Sequence, residues 1–226
     1  MAKIIAFGNR KGGIGKSTLT LLSATALASA PFNKKVLVID ADDQQSLVRY
    51  RNQDVTENLE AELPYKIISC LDINKLHETL QRASTTHDYI FIDVAGRFDE
   101  FTKKVLFYVD VLGIPFQAGN FALESTFDYI QFALNVSQKR IANGMSAIKL
   151  IGFVNMYMKR RVRSKDIREN LEAFEKHLQV MDNNLGFYST FMDATTLETV
   201  YDKEAKDTAK TNFINWLHEF IKLAQL

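Results

Sequence analysis

Between Gly8 and Thr18 the chain reads Gly8-Asn9-Arg10-Lys11-Gly12-Gly13-Ile14-Gly15-Lys16-Ser17-Thr18. Glycines at 12, 13 and 15 let the backbone turn its N–H groups inward around an anion without interference from Cβ atoms. A helix starting directly afterwards adds the positive end of its dipole. Lys16 is placed to reach the β- and γ-phosphates of a nucleotide, and the Ser17 hydroxyl to ligate Mg²⁺. The strict P-loop pattern asks for glycine five positions before Gly15, where this chain has Arg10. Gly-Lys-Ser is nevertheless kept between a short apolar run and a helical pattern. A dinucleotide-type fingerprint fits less well, because its third glycine would fall on Thr18 and it has no use for Lys16.

Three further segments carry candidate chemistry. Val38-Ile39-Asp40-Ala41-Asp42-Asp43 and Ile90-Phe91-Ile92-Asp93-Val94-Ala95-Gly96 are apolar runs that end in carboxylates. Carboxylates at strand ends beside a phosphate loop suit Mg²⁺, which prefers oxygen ligands and keeps several waters. The blander alternative makes Asp40 and Asp93 strand-end residues and Asp42 and Asp43 part of a solvated turn. Asp93 is placed to bind the metal through water, and Gly96 to offer its backbone N–H to a γ-phosphate. The third segment, Lys159–Arg168, holds six basic residues and one acidic. Its local charge of +5, against +1 for the whole chain, leaves −4 on the remainder. Lys159, Arg160, Arg161, Arg163, Lys165 and Arg168 thus form a patch suited to salt-dependent contact with a phosphate backbone. Its plainer reading is a solvated loop and helix start.

These residues need a frame. Continuous apolar runs at Lys3–Gly8, Lys35–Asp40, Tyr65–Ser69, Asp88–Asp93, Val109–Pro115 and Lys149–Asn155 read as strands. Helical patterns lie at Ser17–Ala30, Ile73–Ala83, Glu100–Tyr108, Ser125–Ile141 and Lys165–Leu178, while the polar Asn52–Pro64 reads as a loop or a short excursion. Strands that are apolar throughout belong to parallel sheets covered on both faces. The β-α alternation therefore predicts an α/β fold: one doubly wound, mostly parallel sheet with helices on both faces, in one domain over residues 1–226. In such sheets ligands sit at the carboxyl ends of the strands, which is where Gly8, Asp40 and Asp93 fall.

Composition narrows the classes. The chain has 226 residues, 46% hydrophobic and 24% charged, too apolar and too balanced for disorder. A single cysteine, Cys70, excludes a disulfide framework and any metal site built on several thiolates of one chain. His77, His87, His177 and His218 are scattered without ligand spacing. No apolar run approaches the roughly 18 residues of a membrane span, and the N-terminal run ends too early for a signal peptide. A cytoplasmic protein is expected. The last helical pattern carries Phe213, Ile214, Trp216, Leu217, Phe220, Ile221, Ala224 and Leu226 as one apolar stripe. Its few basic neighbours favour packing into the core over docking on a membrane.

Lys11-Gly12-Gly13-Ile14-Gly15-Lys16-Ser17-Thr18 resembles the deviant Walker A box of the ParA/MinD ATPases, and the chain looks most like the small plasmid-partition ParA proteins. The resemblance implies a P-loop NTPase that binds ATP and Mg²⁺ and hydrolyses ATP to ADP and phosphate. Lys11 matches the family's signature lysine, which reaches across an ATP-sandwiched homodimer to the partner's phosphates, as an arginine finger does. Asp40-Ala41-Asp42-Asp43-Gln44 is similar to the family's Asp-x-Asp-Pro-Gln motif, with Asp43 in place of proline. By that match Asp40 holds a metal-bound water and Asp42 orients the attacking water. Leu150–Met156 resembles the segment whose asparagine reads the adenine, implying base contact by Asn155 with Met156 beside it. A buried strand-end Asn155 that satisfies a loop is the alternative.

The implied nucleotide set is Lys11, Gly12, Gly13, Ile14, Gly15, Lys16, Ser17, Thr18 and Gly96. Ser17, Asp40 and Asp93 serve the metal, and Lys11, Lys16 and Asp42 the chemistry. The resemblance further implies nonspecific DNA binding on the nucleoid, a ParB-like or other adaptor that stimulates hydrolysis, and the positioning of plasmid, chromosome or other cargo. A MinD-like membrane-associated regulator and a metabolic enzyme of dethiobiotin-synthetase type are the alternatives; Lys11 speaks against the second. The nitrogenase iron protein, which needs two cysteines per subunit, is excluded by Cys70 standing alone.

Overall fold

A computed structural model describes residues 1–117, 120–158, 172, 174–201 and 207–226. Seven strands run as β1 (Lys3–Phe7), β2 (Val36–Asp40), β3 (Lys66–Ser69), β4 (Tyr89–Asp93), β5 (Val111–Phe116), β6 (Lys149–Val154) and β7 (Gln179–Val180). The helices are α1 (Lys16–Ala28), α2 (Ser46–Glu57), α3 (Ile73–Ala83), α4 (Glu100–Leu106), α5 (Asn120–Ala142), α6 (Ser189–Met192) and α7 (Asp207–Ala224). Among the described residues the strands form one sheet in the order β3-β2-β4-β1-β5-β6-β7. Every pairing in it is parallel.

Burial explains why these runs are strands. Val-Leu-Val-Ile-Asp of β2 and Tyr-Ile-Phe-Ile-Asp of β4 are buried at every position, as the interior of a two-faced parallel sheet requires. β3, at the edge, is only half-buried. On one face Ile39, Ile90 and Ile92 pack with Leu76 and Leu80 of α3, Val105 of α4 and Ile130 of α5. On the other Phe7, Phe91 and Phe153 pack with Leu19 and Leu22 of α1 and the stripe of α7. Phe213, Trp216, Leu217, Phe220 and Ala224 are all fully buried, so that stripe faces the core. The Trp216 ring meets Phe153 edge-on at 5.0 Å and stacks on Phe220 at 5.5 Å, favourable geometries for large rings. No helix among the described residues is long and apolar enough to cross a membrane.

Local capping sets several helix starts. Asp72 accepts the backbone N–H groups of Asn74 at 2.8 Å and Lys75 at 3.0 Å and so opens α3. Asp99 accepts Thr102 N–H at 2.7 Å and opens α4. These are the orphan donors that a helix N-terminus must satisfy.

The structure corrects one expectation. Asn52–Pro64 is not a loop from its start, because α2 runs through Glu57. This helix buries little apolar surface beyond Leu47; Arg51 and Asp54 face inward instead. Arg51 donates to Thr196 Oγ1 at 2.7 Å, to the Tyr65 carbonyl at 2.6 Å and to the Thr196 carbonyl at 3.1 Å. Asp54 Oδ2 accepts both the N–H and the hydroxyl of Thr196, each at 2.6 Å. A polar network holds the place that an apolar stripe fills in most core-facing helices. The short β7 was not anticipated either, and the helix expected over Lys165–Leu178 lies for its greater part outside the described residues.

Candidate functional site

The parallel register assembles the site. Phe7 at the end of β1 pairs with Asp93 at the end of β4, and Asp40 at the end of β2 pairs with the same Asp93. Both carboxylates therefore stand at the carboxyl edge beside the chain that leaves β1 as the glycine-rich loop. Asp40 and Asp93 are both fully buried at these strand ends.

The loop is anchored from below. Asn9 is fully buried; its Nδ2 donates to the Pro115 carbonyl at 2.8 Å and to Thr126 Oγ1 at 3.0 Å. Its Oδ1 accepts the Lys11 N–H at 3.0 Å. Ile14 is buried under the loop, and its carbonyl accepts Asn155 Nδ2 at 2.7 Å. Gly15, at φ 88°, is left-handed just ahead of α1, a backbone that side chains with a Cβ rarely adopt. A Cβ there would also stand 2.9 Å from Asn155 Nδ2. Gly96 is required for a different reason: its Cβ would lie 2.5 Å from the Asn9 carbonyl oxygen and 3.2 Å from Lys16 Nζ. The loop after β4 is thus pressed against the phosphate loop and its lysine.

Charges in this edge perturb one another. Burial lowers the Lys16 ammonium from its ordinary value, with Asp93 and Asp42 pulling the other way. Burial raises Asp40, which three backbone N–H groups partly offset. Those donors are Leu47 and Val48 on one oxygen, at 3.0 and 3.2 Å, and Asp42 on the other, at 3.3 Å. Asp40 therefore caps α2 as well as facing the site. Burial also dominates at Asp93, pushing its carboxyl up to about 7; the Ser17 hydroxyl lowers it, Asp40 and Asp42 raise it, and Lys16 lowers it. Ser17 is its polar neighbour, yet neither Asp93 oxygen has a partner at hydrogen-bond geometry.

A buried carboxylate without a donor, beside a hydroxyl and next to a second carboxylate, is chemically suited to a divalent cation and its waters. Ser17, Asp40 and Asp93 fit that group. Among the described residues no set of three or more His, Cys, Asp or Glu could hold a metal alone. A Mg²⁺ that takes phosphate oxygens and retains waters needs no such set.

Over this edge lies a cavity of about 500 Å³ lined by Gly12, Gly13, Gly15, Lys16, Ser17, Thr18, Asp42 and Gly96, and also by Arg10, Asp43, Tyr50, Arg97 and Met156. It runs into an apolar annex bounded by Leu22, Asn155, Met156, Phe187, Tyr188 and Met192. A polar, lysine-bearing chamber joined to an apolar slot is the shape of a site for a charged chain with a flat ring at one end. In the annex Asn155 is nearly buried, and its amide nitrogen is engaged by the Ile14 carbonyl. That contact is the loop-satisfying alternative of the sequence reading. Met156 has φ 55°, and its sulfur accepts from Gln117 Nε2 at 3.1 Å.

Lys11 is absent from the lining of the cavity. Its ammonium donates instead to Gln117 Oε1 at 2.6 Å, just beyond β5. Arg10 pairs with Asp128 at 3.3 Å and lies over the Phe98 ring at 5.3 Å. Several participants went unread in the sequence. Asn9, Gln117 and Arg97 act through partners distant along the chain, and Tyr50 together with the aromatic 187–192 segment carries no motif. The basic residues Lys159, Arg160, Arg161, Arg163, Lys165 and Arg168 lie outside the described residues.

Comparison with known proteins gives a consistent picture. The family model of the CobQ/CobB/MinD/ParA nucleotide binding domain matches residues 5–195. The septum site-determining protein MinD of Helicobacter pylori is 24% identical, over 76% of this chain and 66% of its own. A Borrelia burgdorferi B31 protein assigned to plasmid partition, solved with AMPPNP bound, superposes with a TM-score of 0.67. That match is 24% identical and covers 98% of this chain and 99% of the other. The cell division ATPase MinD of Pyrococcus furiosus superposes with a TM-score of 0.68 at 17% identity, over 99% and 100% of the two chains.

Proposed function

The chain belongs to the CobQ/CobB/MinD/ParA nucleotide-binding domain family, and on that premise we propose that it is an ATP-driven switch of the ParA type. In this reading it binds ATP with Mg²⁺ in the cavity over the carboxyl edge and dimerises around the nucleotide. The dimer holds nonspecific DNA and hydrolyses ATP when an adaptor protein engages it. Cargo, a plasmid or another large body, is thereby positioned along DNA.

The observation that carries the reading is the division of labour between two lysines of one loop. Lys16 lines the cavity among Asp42, Gly96 and Ser17, as the lysine that serves its own subunit's phosphates. Lys11, in the same loop, is held by Gln117 at 2.6 Å and does not line the cavity. A cation that a single subunit leaves out of its own site is available to a second subunit's nucleotide. There it would offset charge that develops on the transferring phosphoryl group.

Within the site Lys16 neutralises the terminal phosphates, and the N–H groups around Gly12–Gly15 supply fixed donors. Ser17, Asp40 and Asp93 would hold Mg²⁺, which would supply charge neutralisation at the phosphates. Asp42, half-buried at the cavity wall, would orient an attacking water in this reading. The apolar annex takes the base, with Phe187 and Tyr188 offering faces and Met156 an adaptable thioether. The buried stripe of α7 favours the DNA-bound reading over the membrane-bound one, because its large apolar residues are already covered.

The reading is tested by retention on nonspecific DNA with ATP and Mg²⁺, against ADP. Retention should require ATP, fall with salt, and be largely lost on replacing Arg160, Arg161 and Arg163 by alanine. Equal retention with ADP, or an unaffected triple variant, would overturn it.

A further inference from the structure

We propose that Arg97 is the residue by which this site tells a nucleoside triphosphate from a diphosphate: its guanidinium, held by Asp43 at the cavity wall, passes to the γ-phosphate when one is present. The inference rests on the nucleotide reading above and assigns a role to a residue outside the phosphate loop.

Position is the first observation. Arg97 follows Gly96, whose α-carbon is packed against the Asn9 carbonyl and Lys16 Nζ, and it lines the same cavity as Lys16 and Ser17. The close approach at Gly96 fixes the chain from which Arg97 projects, and Arg97 shares the lining of the cavity with Lys16. The second observation is its partners. Arg97 Nη2 meets Asp43 Oδ2 at 3.0 Å, and Arg97 Nε meets Asp99 Oδ2 at 3.4 Å. Asp43 comes from the loop after β2, whereas Asp99 caps α4 beyond β4. The guanidinium thus ties the two loops that flank the cavity.

The third observation is how replaceable this tie is. Arg97 and Asp43 are 56% and 58% exposed at their side chains, and an ion pair so open to water contributes little and is screened by salt. A terminal phosphate offers more negative charge and two acceptor oxygens matched to the guanidinium fork. Exchange from carboxylate to phosphate is therefore favourable, and Asp99 keeps the arginine in reach during it. A diphosphate lacks those outer oxygens and leaves the Asp43 pair in place. In the exchange Asp43 is released, and the loop that carries Asp42 into α2 loses its tie to the loop after β4.

Calorimetric titration with AMPPNP·Mg²⁺ and with ADP·Mg²⁺ tests this. Arg97→Ala should weaken AMPPNP roughly tenfold or more while ADP changes less than about twofold, and Arg97→Lys should fall between. Asp43→Asn, which frees the arginine, should strengthen AMPPNP several-fold and leave ADP unchanged. Both nucleotides binding to Arg97→Ala in the wild-type ratio, or weakened equally, would overturn the role of Arg97 and leave the nucleotide reading intact. A wild-type chain that binds neither nucleotide would overturn the nucleotide reading itself.

Discussion

Asp93 sits where folding alone would not put a carboxylate. It is fully buried, its two oxygens lack hydrogen-bond partners, and Asp40 and Asp42 add repulsion. Its carboxyl is accordingly raised from 3.8 to about 7. Because the folded value exceeds the unfolded one, the native state binds more protons between them, and stability falls as pH rises through that window. A shift from 3.8 to about 7 corresponds to roughly 4 kcal/mol once the group is fully ionised. Burial raises Asp40 as well, in the same direction. Without nucleotide, the denaturation midpoint should therefore drop between pH 5 and pH 8. Asp93→Asn should flatten much of that slope and be the more stable protein at pH 8, while losing Mg²⁺-dependent nucleotide binding. A variant no more stable than wild type at pH 8 would contradict this account of Asp93. Such a trade, stability given up for a charge in place, is typical of functional sites.

The elements that frame this residue differ in how plainly the sequence announces them. β1, β2 and β4 are short apolar runs that form strands where the sequence reading placed them, with Asp40 and Asp93 at the ends of β2 and β4; which strand pairs with which was not read from the sequence. α2 escaped because what it buries is polar. Arg51 and Asp54 meet Thr196, nearly 150 residues away along the chain at a separation of 145 from Arg51, and no local periodicity encodes that meeting. The site divides in the same way. Lys16, Ser17 and the carboxylates are legible as residue types at strand ends, whereas Asn9 to Pro115 and Lys11 to Gln117 are pairings across 106 positions. α2 also carries Ser46 and Tyr50 into the cavity wall, so its seating bears on binding. Asp54→Ala would leave the Thr196 N–H and hydroxyl without the carboxylate oxygen that accepts both, beside a buried Arg51 that bonds the same Thr196. Equilibrium unfolding should show a loss of about 3 kcal/mol. Thr196→Val, which keeps the backbone donor, should lose less, about 1 to 2 kcal/mol. Equal losses, or none in Asp54→Ala, would mean that α2 is held by something other than this network.

At the scale of the molecule, the seven parallel strands among the described residues bring the strand ends of β1, β2 and β4 to one edge, and the core beneath is closed on both faces by helices. The edge is open on its outer side: Gly12, Gly13 and Thr18 are exposed, and the Lys11 ammonium is bonded to Gln117. Completion of that edge by a second copy, through Lys11 and a shared nucleotide, is the central claim. Sedimentation velocity with Mg²⁺ and either ATP or ADP, on the wild type and Lys11→Ala side by side, tests it most directly. The wild type should become a dimer with ATP and stay a monomer with ADP, and Lys11→Ala should remain monomeric with both. A Lys11→Ala protein that dimerises with ATP as the wild type does would contradict it.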